Sequence, residues 1–549
     1  MSSGFGTPPS IPSQFQVYNS YVEDPKWQHR FTDIWAGCLG LAVILSLPSL
    51  YRAFRTRQAF IGLFGVWEGR AYAPAPTAPQ REVAPSPKHS KELGYLSIFR
   101  SVLLLSPLGV GLNLGQILVV VIYFTVVVVC IVTNAPLIDN PNRAGFMALA
   151  QLPIVFLFAT KNSILSLLLG PGHGYEKLNY VHRWSGRGMF LGAMVHGSLW
   201  IRNHVQYNLP VLGPQKETSG VAAFALLCII VLSTLRPVRI YLRQIFFYVH
   251  VLTYVSFFVT ICYHTIYARP WIYPALAFYA LDLLLRLFRY RIKDATLTSV
   301  GNMTIINIYD CDGGWEAGQH VQLRIFFEGR VFESHPLTIA NAPTSTSCLS
   351  SRSIVLGARV MGDWSRALDH YASTEQKRIA RENSEKVDAV PVPVQVMIDG
   401  PYGGCSLDLG EYESVLLIAG GAGVTFTLGL LDDLVGRIAS CTRRVEFAWA
   451  IRSFGCINWS HPIPNSITTL VRPDVHRLLA HVLSPPSADG DVEGESGGSV
   501  QRATRGGVGV CASGPESLTR ESANAVARLT PSHAKRVGGI ALHTEVFSL

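Results

Sequence analysis

Charge is what this 549-residue chain has least of: Asp, Glu, Lys and Arg make up 15% of it, against 49% hydrophobic residues. Ordinary soluble domains carry about 25% charged residues, so a wholly soluble chain is excluded. The ten cysteines contain no C-x-x-C pair, and Cys38, Cys130, Cys228 and Cys262 lie in apolar stretches. Neither a disulfide framework nor a cysteine-held zinc or iron–sulfur site is supported. The first thirty residues lack a basic region leading into an apolar one. That argues against a cleaved leader and for a first apolar segment retained as an anchor. The net charge of +9 comes without an aromatic-interleaved basic patch, which argues against nucleic acid as a partner.

Long apolar stretches fill residues 34–290. Their lengths predict seven membrane spans, near 34–50, 108–133, 145–170, 177–201, 219–235, 244–266 and 271–288, with lipid as their surroundings. Lys161 and Asn162 interrupt the third. Arginines cluster between the first two spans (Arg52, Arg55, Arg57, Arg70), after the fifth (Arg236, Arg239, Arg243) and after the seventh (Arg286, Arg289, Arg291). The opposite loops are poor in lysine and arginine. The positive-inside rule then puts the N-terminus outside and the C-terminal half in the cytosol. Residues 71–90 read as a flexible Pro/Ala-rich linker, and 484–507 as a disordered insertion.

Four histidines stand inside these spans. His182 and His196 are fourteen residues apart, as are His250 and His264. Fourteen steps of a helix return to within about 40° of the start and rise about 21 Å. Each helix therefore shows two imidazoles on one face at two depths. Facing helices would offer two bis-histidine sites, each closing both axial positions of a haem: an electron wire, not an oxygen-binding site. Such residues in spans are costly and usually functional, although a lone one is often a polar contact between helices. The orientation makes His182/His250 the inner pair and His196/His264 the outer pair. His204 is rotated about 80° off the face, and His173 sits in a glycine-rich turn. Both read as loop or surface residues.

From about residue 294 the period changes. Thr304–Ile308 and His320–Ile325 alternate like short strands of a β-barrel. Val415–Ala419 reads as a buried strand, and Gly420, Gly421, Gly423 and Thr425 follow it into an apolar helix near 426–434. A glycine turn there lets phosphate oxygens approach backbone amides, though it also serves as a tight core loop. The strand Val445–Ala450 ends near Arg452 and Ser453, suited to the 2′-phosphate of NADPH; the bland alternative is a solvated arginine. A third strand, 507–511, runs through Cys511 to Gly514 and Pro515, at the carboxyl edge where parallel sheets bind ligands. Cys511 also reads as a small buried hydrophobe.

These residues resemble the fungal ferric-chelate reductases, within a family that includes the superoxide-forming NADPH oxidases. The resemblance covers roughly 100–549. It rests on the paired histidines, on His335-Pro336-Leu337-Thr338 (similar to a His-Pro-Phe-Thr/Ser flavin motif), and on Glu316–His320. It also rests on Gly362–Ser365, Asp399–Gly403, Gly420–Thr425 and Cys511–Pro515. It implies a polytopic all-α membrane domain holding two b-type haems, followed by a ferredoxin-reductase-like module: an antiparallel β-barrel for FAD and an α/β parallel-sheet domain for NADPH. The boundaries expected are 1–100 for the N-terminal segment and linker, 101–290 for the haem domain, 291–412 for the barrel and 413–549 for the nucleotide domain. Implied flavin contacts are His335, Pro336, Leu337 and Thr338, with Gly362 and Ser365 near the pyrophosphate. Thr338 would be near the flavin N5, Thr425 and Cys511 near the nicotinamide, and Arg183 and Arg187 beside the inner haem, paired with its propionates or there only for topology. Two departures stand out. Leu337 replaces the usual phenylalanine, and Leu549 ends the chain where the family commonly has an aromatic over the flavin, a role Phe547 would take. The implied activity is ferric or cupric reduction at the plasma or vacuolar membrane. Its acceptors would be ferric chelates, siderophores or cupric ion, with coupling to an iron permease/oxidase. A superoxide-generating oxidase is the rival reading, and a non-enzymatic seven-span protein with a degenerate reductase domain a third.

Overall fold

A computed structural model describes residues 18–55, 64–68, 102–162, 164–349, 352–383, 390–437, 440–451, 474–484, 506–529, 533 and 536–547. The Pro/Ala-rich linker at 71–90 and most of the 484–507 insertion lie outside them. The chain divides into two compact units.

The first unit comprises residues 1–45, 119–160 and 178–281 and is helical. Among the described residues, five helices are long and apolar enough to cross a membrane: Ser20–Leu47, Leu114–Val132, Gln215–Ser233, Ile245–His264 and Ile266–Arg289. The first begins well before the expected residue 34, as part of helix α1 (Ser20–Arg55). Two expected spans differ. The 145–170 stretch is broken into Asn142–Ala150, Leu152–Leu157 and Ile164–Leu169. Pro153 has no N–H to give the Leu149 carbonyl, so the helix steps at Gln151. Residues 158–162 then leave the helix, and the backbone and side-chain amides of Asn162 both donate to Asp282, in the second unit with it. The 177–201 stretch is a continuous helix, α6 (Tyr175–Gln206). It carries Lys177, Arg183, Arg187 and Arg202, and is not among the five. A wholly buried ion pair, Arg143 Nε to Asp24 at 2.6 Å, ties α1 to the helix Asn142–Ala150.

The second unit comprises residues 46–118, 161–177 and 282–549. Six antiparallel strands run in the order β4-β3-β6-β1-β2-β5: β1 Arg291–Val300, β2 Met303–Tyr309, β3 Gln319–Ile325, β4 His335–Thr338, β5 Ser353–Arg359 and β6 Val392–Gly403. A bridge from Ile339 to Leu356 brings the two edges together, so the sheet nearly closes on itself. Alternation drives this. Leu297, Ile306, Ile308, Val321, Leu323 and Ile325 point inward and are fully buried, with Trp315 beside them. Each such side chain contributes roughly 1.5–3 kcal/mol by leaving water.

A second sheet is wholly parallel, in the order β10-β9-β7-β8: β7 Ser414–Gly420, β8 Arg444–Ala450, β9 Val508–Gly514 and β10 Ile540–Val546. Every residue of β7 is buried, which is why it reads as an unbroken apolar run. Val415 and Leu417 face one core with Phe426 and Leu430 of helix α12 (Val424–Gly436). Leu416 and Ile418 face another with Leu479 and Leu518. After β7 the chain adds β8 on one side, and β9 later takes the other. The carboxyl ends of β7 and β9 therefore form a topological switch point, where such sheets open a ligand crevice.

Candidate functional site

Helix α6 carries His182 and His196, and helix α9 (Arg243–His264) carries His250 and His264. The rings of His182 and His250 have centroids 6.3 Å apart, and those of His196 and His264 lie 6.2 Å apart. A metal–imidazole bond of about 2.0 Å, plus about 1.1 Å from nitrogen to ring centre, spans about 6.2 Å for two imidazoles on one iron. Both pairs have the dimension that a six-coordinate haem iron needs. Three of the rings are also oriented by the backbone. His182 Nδ1 meets the Val155 carbonyl at 2.8 Å, His196 Nδ1 that of Pro141 at 3.1 Å, and His264 Nδ1 that of Lys216 at 2.8 Å. An Nδ1–H given to a carbonyl leaves Nε2 as the free lone pair for a metal. His250 Nδ1 is buried with no hydrogen-bond partner among the described residues.

The His196/His264 pair faces a cavity of ≈ 1150 Å³, counting its open mouth, lined among others by Phe224, Phe257, Leu227 and Tyr267. Two glycines make room for its rings, and sequence reasoning missed both. A Cβ on Gly220 would come 2.7 Å from the His264 ring, and one on Gly145 would come 3.0 Å from the His196 ring. Of the histidines set aside, His204 stacks on Trp200 and His173 Nδ1 meets the Pro171 carbonyl.

In the second unit the expected flavin motifs come together. His335 stacks on Trp364 with centroids 4.0 Å apart, joining the 335–338 strand to the 362–365 turn. Leu337 packs on the barrel core. Pro336 pairs with Gln322 and Thr338 with His320 across β4 and β3. Burial pushes the His320 imidazole down to about 4, so it is neutral at pH 7. Ser365 is already engaged: its Oγ accepts from the Met361 and Gly362 amides at 2.9 and 3.0 Å and holds the start of helix α11 (Asp363–Asn383).

The two glycine turns of the nucleotide sheet touch at the switch point. Gly423 lies so close to β9 that a Cβ would sit 2.4 Å from the Ser513 carbonyl. Gly514, at φ +149, would meet Gly420 at 3.0 Å. Gly421 takes a left-handed φ of +56, and its carbonyl accepts from Trp449 Nε1 at 3.1 Å. Thr425 is buried at the start of α12, its hydroxyl 3.1 Å from the Ala422 carbonyl. Pro515 leads into the helix Glu516–Ala527. The third strand runs to Gly514, three residues further than expected. Cys511 is therefore wholly buried inside the sheet, and Ser513, whose buried Oγ has no hydrogen-bond partner among the described residues, sits near the strand's end. Phe547 gives its N–H to the Gly514 carbonyl at 2.8 Å and packs on the Phe426 cluster. Arg359, which no motif flagged, comes near the same turn: a Cβ on Gly421 would be 3.2 Å from its guanidinium. Arg452, Ser453 and Leu549 lie outside the described residues.

A closing barrel carrying the 335–338 motif is followed by a parallel sheet with glycine turns at its switch point, the arrangement of an FAD- and NAD(P)-binding module joined to a helical membrane part. Three family matches agree. Residues 144–261 match the ferric reductase like transmembrane component, 290–406 an FAD-binding domain, and 412–475 the ferric reductase NAD binding domain. By these matches the chain is an integral membrane protein carrying a ferric reductase like transmembrane component with FAD- and NAD(P)-binding domains. It is similar to ferric reductase transmembrane component 3 of Saccharomyces cerevisiae, 26% identical over 58% of this chain and 44% of that protein. It is likewise similar to ferric/cupric reductase transmembrane component 2 of Schizosaccharomyces pombe, 26% identical over 59% of this chain and 63% of that protein. A probable cell surface ferric reductase, kap2, of Aspergillus oryzae is 25% identical over 58% and 44%. The chain spans about half the length of the curated relatives it matches.

Proposed function

We propose that this chain moves electrons from cytosolic NADPH across a membrane to a ferric chelate on the far side. The observation that carries the proposal is the pair of matched histidine sites, with centroids 6.3 and 6.2 Å apart. Bound haem, FAD and NADPH supply the redox chemistry, hydride on one side and single electrons on the other. The protein supplies position. His182 and His250 would hold the inner haem, His196 and His264 the outer one. Each histidine pair would hold its haem from both sides, and the chemistry it would supply is one-electron transfer to an acceptor that does not bind the iron. His335 to Thr338 would seat the flavin, and the Gly420–Thr425 turn the nucleotide phosphates, with Arg359 as a nearby cation. The excess of arginine in alternate loops supports a cytosolic nucleotide half, at the plasma membrane in this reading.

The experiment offers a membrane-impermeant ferric chelate to intact cells expressing the protein. Reduction is expected, and it should survive superoxide dismutase. Loss of the signal with dismutase would favour the oxidase reading. Reduction by inverted vesicles with the chelate outside and NADPH trapped in the lumen, and not by intact cells, would reverse the orientation.

A further inference from the structure

Within the second unit, Cys405 and Cys511 bring their Sγ atoms to 3.6 Å. They come from different elements. Cys405 follows β6 in the junction loop, immediately after Gly403 and Gly404, which take φ +69 and +106. Cys511 sits inside β9, between Leu417 of β7 and His543 of β10. Their surroundings differ in the way a two-step oxidation requires. Cys511 is wholly buried, whereas Cys405 is partly exposed. The Cys511 thiol beside it and the nearby His543 lower the Cys405 thiol against burial, while burial pushes Cys511 up. The two sulfurs are thus in contact, Cys405 a half-buried loop residue whose thiol is the more easily ionised, and Cys511 sheltered inside the sheet.

We infer that Cys405 and Cys511 form a peroxide-operated redox switch in the junction between the two lobes. The Cys405 thiolate attacks hydrogen peroxide, forming an S–O bond as the O–O bond breaks. A proton from solvent carries the leaving hydroxide off as water. The Cys511 sulfur then attacks the sulfenic sulfur, and a second water leaves with the Cys511 proton. Two thiols lose two electrons and peroxide becomes two waters. A thiol or dithiol reductant reverses the step.

Closing the bond shortens the sulfur separation from 3.6 Å to about 2.05 Å. The strand is held on both sides, so the loop must move. Its next residue, Ser406, is anchored to His543 Nδ1 through its amide at 3.2 Å and its hydroxyl at 2.9 Å. Oxidation therefore pulls on β9 two residues before Ser513, at the switch-point crevice. That consequence rests on the reading of the crevice as the nicotinamide site.

The test treats the detergent-solubilised full-length protein with hydrogen peroxide at pH 7, blocks free thiols, and maps peptides without reduction. A Cys405–Cys511 cross-linked peptide is expected. NADPH-driven flavin reduction should fall about ten- to a hundred-fold, the scale of an ångström-level misplacement, and return with dithiothreitol. Cys405→Ser should keep the untreated rate and lose the peroxide effect. Cys511→Ser should leave a sulfenic acid on Cys405 that dimedone traps. Recovery of both cysteines in blocked form after treatment overturns the proposal, as does a cross-link that leaves flavin reduction unchanged. If NADPH fails to reduce the flavin even before treatment, the functional reading is what has failed, and the peptide map still decides the thiol chemistry.

Discussion

At the scale of single residues the His196/His264 pair depends on side chains that are not there. Gly220 leaves the His264 ring its space, because a Cβ would enter at 2.7 Å, inside any normal contact. Gly220→Val should tilt or displace that ring while leaving His182 and His250 untouched. About half of the bound haem should be lost, the remainder keeping a low-spin bis-histidine spectrum. Full haem content in the variant, measured by pyridine haemochrome, would contradict the role given to Gly220. This requirement was not legible in the sequence, since a glycine in an apolar helix carries no pattern of its own. The histidines were legible, because a polar ring in a span stands out and a fourteen-residue repeat fixes a common face. Their backbone partners were not. The carbonyls of Val155, Pro141 and Lys216 come from segments remote in sequence, and no local signal announces them.

At the scale of elements, β7, the turn after it and helix α12 form as their apolar run and glycines suggest. The turn owes its position to backbone contact with β9. Gly423→Ala would drive a Cβ to 2.4 Å from the Ser513 carbonyl, and neither backbone can yield cheaply. NADPH-driven flavin reduction should fall about a hundred-fold, as misplacement of a binding loop by an ångström does. Haem reduction by dithionite should be unaffected, which separates loss of the crevice from loss of the fold. An unchanged NADPH rate would show that the nucleotide does not use this turn. The length of β9 was harder to read. Ala512, Ser513 and Gly514 are weak strand formers by composition, and only pairing with β7 and β10 carries the strand on to Gly514. That extension buries Cys511 and puts Ser513 at the crevice. The break in the 145–170 stretch has the same character. The apolar pattern runs on, but Pro153 and the polar partners of Asn162 override it.

For the whole molecule, the change from helical to strand periodicity near residue 294 marked where one architecture gives way to the other, because burial in lipid and burial in a barrel impose different repeats. The pairing of α6 with α9 was inferred only from matched spacing, and it carries the account: two haems, one above the other, in one helical unit. The most direct measurement is haem stoichiometry and spin state in the purified protein, by absorbance and electron paramagnetic resonance. Two haems per chain are expected, both low-spin. His182→Ala or His250→Ala should each remove the inner haem, and His196→Ala or His264→Ala the outer. Fewer than two haems in the unaltered protein, a high-spin signal with an open axial position, or four variants that all retain both haems would contradict it.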